Sequence, residues 1–359
     1  MNKYKICVYA ISKNEEKFVN RWVDSIKDAD EIYVLDTGST DNTVELLKKK
    51  GVNVISKKIT PWRFDVARNE SLSLVPSDTD ICICLDLDEV ISEGWRKALE
   101  ENWDENTDRI FYNYNWLLDE NNVPKVSFYI EKIHKRHGYK WTHPVHEILS
   151  LTENKEENKK VVEQITVNHY PDNTKSRSSY LPLLEFSVKE DPDDDRNMHY
   201  LGREYMYYGK YQEAITTLKK HLNMEKAVWK DERCASMRFI ARSYRYLENY
   251  KEAIYWYEKA IIEAPYLRDS YVELALLYYE LKDWEKVIFY SDKALEIKES
   301  AKSYINEQFS WDHTIYDLKS ISYYYLNNKE KALENINIAL TYASEDERLL
   351  NNKKVFENM

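Results

Sequence analysis

Glycine is scarce in this sequence, with six residues in 359. Neither G-x-G-x-x-G nor G-x-x-x-x-G-K-[ST] occurs, so a glycine-turn dinucleotide fold and a P-loop are both unsupported. No serine sits in a G-x-S-x-G elbow. Cysteine is sparse too, at Cys7, Cys82, Cys84 and Cys234. Three of these lie in apolar runs, where cysteine behaves as a small hydrophobe. With no CxxC pair and no Cys/His ligand spacing, neither a zinc-binding cysteine site nor a disulfide framework is indicated. No run of about eighteen apolar residues is present, which argues against a spanning helix. The apolar stretch after Lys5 stops at Ser12-Lys13-Asn14-Glu15, too early for a signal peptide. Basic character is also missing: the formal net charge of −11 argues against nucleic acid as the main partner. These absences lead us to expect a soluble, cytoplasmic protein.

The length suits two domains. Tyrosine is abundant, and 21 of the 30 lie between Tyr200 and Tyr342, so the halves differ in kind. In the first half, strand-like runs alternate with helical spacing. KICVYAI, EIYVLD, VNVISKK and ICICLDLD read as strands; EEKFVNRWVDSI, TVELLKKK and FDVARNESLSLV read as helices. Strands joined by helices predict a doubly wound α/β sheet, with ligands at the carboxyl ends of its strands. Beyond Asn102 four β-like segments follow, and ENKEENKK (Glu153 to Lys160) reads as a charged hairpin tip. EDPDDDRN (Glu190 to Asn197) marks the expected junction between domains 1–189 and 190–359.

The second half repeats one phrase: GKYQEAI, NYKEAI, DWEKVI and NKEKAL. The equivalent small residues Ala214, Ala253, Val287 and Ala332 are separated by 39, 34 and 45 positions. A step of 34, with an aromatic before the turn and an alanine after it, resembles the tetratricopeptide repeat. The longer steps imply insertions, one of them KESAKSYINEQFSWDHT. Stacked helical hairpins make concave surfaces that bind peptide or protein.

The chemistry gathers at LDLDE. On an extended backbone Asp86 and Asp88 point to the same side, and converging acids call for a cation such as Mg²⁺ or Mn²⁺. The competing reading makes Asp88, Glu89 or Ser92 the cap of a helix through Trp95 to Leu99. Asp36, ending EIYVLD, suits a contact to a base or ribose, or an Asx-turn over Thr37–Ser39. Arg68 suits a phosphate or carboxylate clamp, or one half of an exposed salt bridge. WTHPVHE offers His143 and His146 as metal ligands, with Glu147 or Asp119 as a general base. His134, His137 and His169 read as structural or surface residues.

Five segments stand in one order: ISKNEE, LDTGSTDNT, FDVARNE, LDLDE and HPVHE. Together they resemble a family 2 glycosyltransferase of the GT-A fold, in the bacterial form that continues into tetratricopeptide repeats. The resemblance implies a GT-A domain (nucleotide-diphospho-sugar transferase type) followed by an all-α repeat domain. It implies an inverting, metal-dependent transfer from a UDP-sugar to a hydroxyl or thiol. The acceptor is a peptide or protein docking near the repeats, and surface polysaccharide assembly or an inactive nucleotide-sugar-binding scaffold are alternatives. Glu15 and Asp36 then contact the uridine, Arg68 the nucleotide or its phosphates, and Asp86 the ribose or sugar. Asp88 and Asp86 hold Mg²⁺ or Mn²⁺, completed by His146, and Glu147 or Glu89 is the base or an acceptor contact. A homodimer through the repeats is a further expectation.

Overall fold

Along β1 (Ile6–Ser12), Ile6, Val8 and Ala10 enter one apolar cluster while Cys7 and Tyr9 enter another. On β4 (Ile81–Cys84), Ile81 and Ile83 join the first cluster, Cys82 and Cys84 the second. A strand with successive residues on opposite faces, both covered, reads as an unbroken apolar run. The cysteines are thus small core residues, all four of them free and buried.

The computed structural model describes residues 3–172, 174, 178, 180–301 and 306–359. The chain divides into two units, Met1–Lys189 and Glu190–Met359. In the first, the elements run β1, α1 (Val19–Ser25), β2 (Glu31–Asp36), α2 (Thr43–Lys49), β3 (Asn53–Ser56), α3 (Phe64–Ser73) and β4. There follow β5 (Glu89–Ile91), α4 (Trp95–Asn102), β6 (Arg109–Leu118), β7 (Pro124–Lys135), β8 (Tyr139–Thr142), β9 (Ile148–Leu151), β10 (Lys159–His169) and α5 (Tyr180–Glu190). The main sheet has the order β3-β2-β1-β4-β7-β6-β10-β5. Its first four strands are parallel, as the helical connections predict. β7 pairs antiparallel with β4 and β6, so the sheet is mixed, and β8 and β9 form a separate hairpin.

Two local expectations need correcting. Residues 153–160 are not a hairpin tip, because β10 lies between β6 and β5 and does not pair with β9. Nor do the acids of LDLDE cap a helix: α4 starts after Gly94 with no side-chain cap bond.

The second unit is a row of helix pairs: α6 (Asp195–Tyr207) with α7 (Tyr211–Leu222), α8 (Lys230–Tyr246) with α9 (Tyr250–Glu263), α10 (Arg268–Glu280) with α11 (Trp284–Glu296), and α12 (Thr314–Tyr325) with α13 (Lys329–Tyr342). A last helix, α14 (Glu347–Glu357), packs on α13. Each repeated phrase sits at the turn within a pair. Gly209, Glu248, Lys282 and Asn327 all adopt positive φ there. The next residue is the cap, and Asn249, Asp283 and Asn328 each accept from a backbone N–H three positions on. Ala214, Ala253, Val287 and Ala332 are fully buried. Gly202 shows how close α6 and α7 come, since a Cβ there would lie 2.4 Å from Leu218 Cγ. This is a helical repeat region resembling tetratricopeptide-repeat proteins. Of the segment between α11 and α12, residues 302–305 lie outside the described residues.

Candidate active site

Two loops interlock at the carboxyl ends of β1 and β2. Asn14 N–H donates to Ser39 Oγ at 2.9 Å, and Thr40 N–H to Asn14 Oδ1 at 2.7 Å. Glu16 N–H donates to Asp41 Oδ2 and Glu15 N–H to Thr43 Oγ1. ISKNEE and LDTGSTDNT are therefore halves of one rim, with Glu15 half-buried in it. Asp36 is buried and accepts from the N–H groups of Gly38 and Ser39, both at 3.1 Å, and from the hydroxyls of Ser39 and Ser12. The Asx-turn is present, and the Asp36 carboxylate holds it.

The ARNE segment lies on α3 and faces inward. Asn69 brackets Trp141 of β8, donating to its carbonyl at 2.8 Å and accepting from its N–H at 2.9 Å. This anchors the β8–β9 hairpin, whose connecting loop is HPVHE. His143 and His146 both adopt positive φ in that loop, a conformation that costs L-residues about 1 kcal/mol each. The loop brings Glu147 Oε1 to Arg68 Nε at 2.7 Å. Arg68 also clamps Asp86 with both terminal nitrogens, at 2.6 and 2.9 Å, and is only 5% exposed. It is a buried clamp, not an exposed salt bridge.

The acids of LDLDE do not project together from a strand. β4 ends at Cys84, and the Glu89 N–H donates to the Asp86 carbonyl at 2.9 Å, closing a turn. Asp86 and Asp88 consequently meet different partners. Asp86 takes Arg68 and, at 3.2 Å, Lys132. Desolvation pushes its carboxyl up, but Arg68 and Lys132 outweigh it and hold the group well below the usual carboxylate range. Glu89 is 2% exposed and accepts from Asp86 N–H at 2.9 Å, Tyr114 Oη at 3.0 Å and Lys132 at 3.1 Å. Burial raises its pKa, against Lys132 and together with Asp86 and Asp88. Glu89 is buried and braces the turn through these bonds.

Asp88 points to His169 at the end of β10, with Oδ2 3.4 Å from Nε2. The other ring nitrogen, Nδ1, is 3.1 Å from the Trp116 carbonyl, and the ring stacks on Tyr114. A carbonyl only accepts, so Nδ1 carries a hydrogen. In the neutral ring Nε2 then presents a lone pair to a carboxylate oxygen, and two acceptors face each other. Only a proton or a cation between them reconciles the contact. Desolvation opposes the charged ring, but Asp88 overcomes it and raises its pKa above the ordinary value. Both atoms lie close enough to share one cation, so the residues fit a divalent ion held by few protein ligands.

His146 stands apart from this pair. Its ring packs edge-on against Tyr180 at 5.8 Å, and among the described residues its ligand atoms do not gather with those of Asp86 and Asp88. Asp119 accepts from the N–H groups of Asn121 and Val123 and pairs with Lys125, so it shapes the β6–β7 turn. Lys132 and His169 are the residues that sequence patterns missed. Lys132 looks like one more polar position on an alternating strand, and His169 like a strand terminus.

Residues 7–172 match the model of the family described as glycosyl transferase family 2. An uncharacterized glycosyltransferase of Rickettsia typhi is 35% identical over 97 residues, 27% of this chain and 32% of the relative. One from Rickettsia conorii is 35% identical over 100 residues, 27% of this chain and 33% of its own. The chain thus spans about a third of the length of these curated relatives. Among solved structures, a tetratricopeptide repeat protein from Parabacteroides merdae is similar with a TM-score of 0.39 and 18% identity, covering 50% of this chain and 65% of that one. MamA from Desulfovibrio magneticus has a TM-score of 0.38 and 16% identity, covering 47% and 87%. No helix among the described residues is long and apolar enough to cross a membrane.

Proposed function

We propose that this chain, whose residues 7–172 match the model of glycosyl transferase family 2, moves a hexosyl or N-acetylhexosaminyl group from a UDP-sugar to a hydroxyl or thiol. Inversion at the anomeric carbon, Mg²⁺ or Mn²⁺ dependence and a peptide or protein acceptor are parts of the same reading. The observation that carries it is the pair of facing acceptors, His169 Nε2 and Asp88 Oδ2, 3.4 Å apart beyond the end of β4. Strand carboxyl ends are where open α/β sheets bind ligands.

Asp88 and His169 would hold the divalent ion, replacing His146 and Asp86 in the ligand set expected from sequence. When bound, that ion neutralises charge developing on the departing diphosphate. Arg68 and Lys132 keep Asp86 ionised and fixed, which suits it to accept from a sugar or ribose hydroxyl. Glu15 and the Asp36 turn form the rim assigned to the uridine. Glu147 is the candidate for the base, since it gives only Oε1 to Arg68. The repeats supply a protein-binding surface, consistent with a polypeptide acceptor. A homodimer has no observation in its favour and does not enter the proposal.

The test is donor hydrolysis by the purified chain with a panel of UDP-sugars and Mn²⁺. Chelation, Asp88→Asn and His169→Gln should each lower turnover at least about 100-fold. Turnover indifferent to all three would contradict the reading.

A further inference from the structure

A second facing of imidazole and carboxylate lies in the repeat unit, among residues given no role above. Asp195 on the first turn of α6, His221 on the last turn of α7 and Glu232 on the first turn of α8 each bring one ligand atom within 4.8 Å of the others. His221 and Glu232 are buried and Asp195 is half-buried. His221 Nε2 is 3.4 Å from Glu232 Oε1, yet among the described residues this buried nitrogen has no hydrogen-bond partner.

The far side of the ring decides which tautomer is present. His221 Nδ1 is 2.9 Å from Ser236 Oγ, and that oxygen is 2.7 Å from His199 Nδ1. All three residues are fully buried. One hydroxyl hydrogen serves one of the two nitrogens. If it goes to His199, His221 Nδ1 donates to Ser236 and Nε2 turns a lone pair toward Glu232 and Asp195. The reverse arrangement puts a hydrogen on Nε2, where no acceptor among the described residues has hydrogen-bond geometry. Each acid also complements the dipole of its helix N-terminus. That accounts for acids on those turns, but not for an imidazole nitrogen buried between them without a partner.

We propose that Asp195, His221 and Glu232 bind a divalent transition cation of the zinc type. One imidazole nitrogen and two carboxylate oxygens form a ligand set suited to such an ion. Ser236 orients the ring from behind, as outer-shell partners of metal-bound histidines do. Water completes the coordination on the half-exposed Asp195 side. The cation ties together the ends of three successive helices, α6, α7 and α8, and has no part in donor chemistry.

The experiment uses the full chain carrying Asp88→Asn, stripped with chelator and titrated with ZnCl₂ alone, with bound zinc and melting temperature both read. One zinc per chain and a raised melting temperature are expected. His221→Gln and Glu232→Gln should abolish both effects, with helical content checked by circular dichroism. Asp195→Asn, on the exposed edge, guards against variants that fail to fold and should weaken binding at least about tenfold. Donor hydrolysis by His221→Gln in the otherwise native chain should be unchanged at a temperature where it is folded. No zinc on the stripped chain, or affinity unaltered in Asp195→Asn, would overturn the proposal.

Discussion

Arg68 reaches Asp86 and Glu147, 18 and 79 positions away in sequence, whereas Arg242 reaches Glu273 at 31 positions and Arg245 reaches Glu280 at 35. Both units bury guanidinium groups against carboxylates, but the spacing shows two origins. In the repeat unit the partners sit one repeat apart, so the same helix face is used twice and the ion pairs form rungs between neighbours. Glu273 is 3% exposed and accepts from both Arg238 and Arg242. Burial raises its carboxyl, and the two arginines reverse this to bring it down to about 2. In the sheet unit no period relates the partners; α3, the turn after β4, β7 and the HPVHE loop each send one group to a single place. Rungs stabilise a stack. Convergence from unrelated segments builds a site, and at its edge Asp88 faces His169.

The largest effects are expected at the two arginine–carboxylate centres. Arg68→Met and Glu273→Ala should each cost about 3–5 kcal/mol, because each strands buried charge of one sign. Denaturant unfolding of each variant measures this. Arg68→Met should also abolish donor hydrolysis, while Glu273→Ala should leave it intact at temperatures where the chain is folded. Equal loss of hydrolysis in both would erase the distinction between rung and site.

A second difference is pH sensitivity. In the sheet unit, Trp141 Nε1 donates to Tyr9 Oη, Tyr9 donates to His134 Nε2, and His134 Nδ1 donates to the Lys135 carbonyl. This chain of bonds specifies a neutral ring, and burial lowers its pKa to about 3 from an ordinary value near 6.5. The unfolded chain then binds the proton more readily. Stability is complete above about pH 6.5 and falls as pH drops toward 3, by up to about 1.4 kcal/mol per unit. Urea midpoints at pH 7 and pH 5 should differ more for the native chain than for His134→Gln.

Smaller effects test the repeat geometry. Gly202→Ala drives a methyl into Leu218 and should cost about 1–3 kcal/mol. Asn249→Ala removes a cap bond to Glu252 N–H and should cost about 1 kcal/mol. Thermal melts read both, and neither substitution should change donor turnover at 25 °C.

The ordering of effects mirrors what could be read from the residues. The parallel strands and the helix pairs were legible because both are local: apolar runs, a recurring phrase, a turn residue and a cap. ARNE, LDLDE and HPVHE were legible as pieces, and Arg68, Asp86 and Glu147 do come together. Lys132 and His169 were not, because strand register places them. β7 lies antiparallel to β4 with Ile83 opposite Ile133, which sets Lys132 near the Asp86 turn. β10 lies antiparallel to β5 with His169 opposite Glu89, next to Asp88. No local pattern encodes such non-local pairing. The surroundings of Glu89 were hidden for a related reason: its short strand β5 takes an edge of the sheet, and its acid turns inward toward Lys132 and Tyr114.

The claim that most depends on this geometry is that Asp88 and His169 together hold the cation of the donor complex. Calorimetric titration of UDP into the full chain, with and without Mn²⁺, tests it directly, because binding is read without turnover or an acceptor. Mn²⁺ should strengthen UDP binding by at least about tenfold in the native chain and in His146→Gln, and His169→Gln should remove this gain. A Mn²⁺ effect that survives in His169→Gln and disappears in His146→Gln would contradict it.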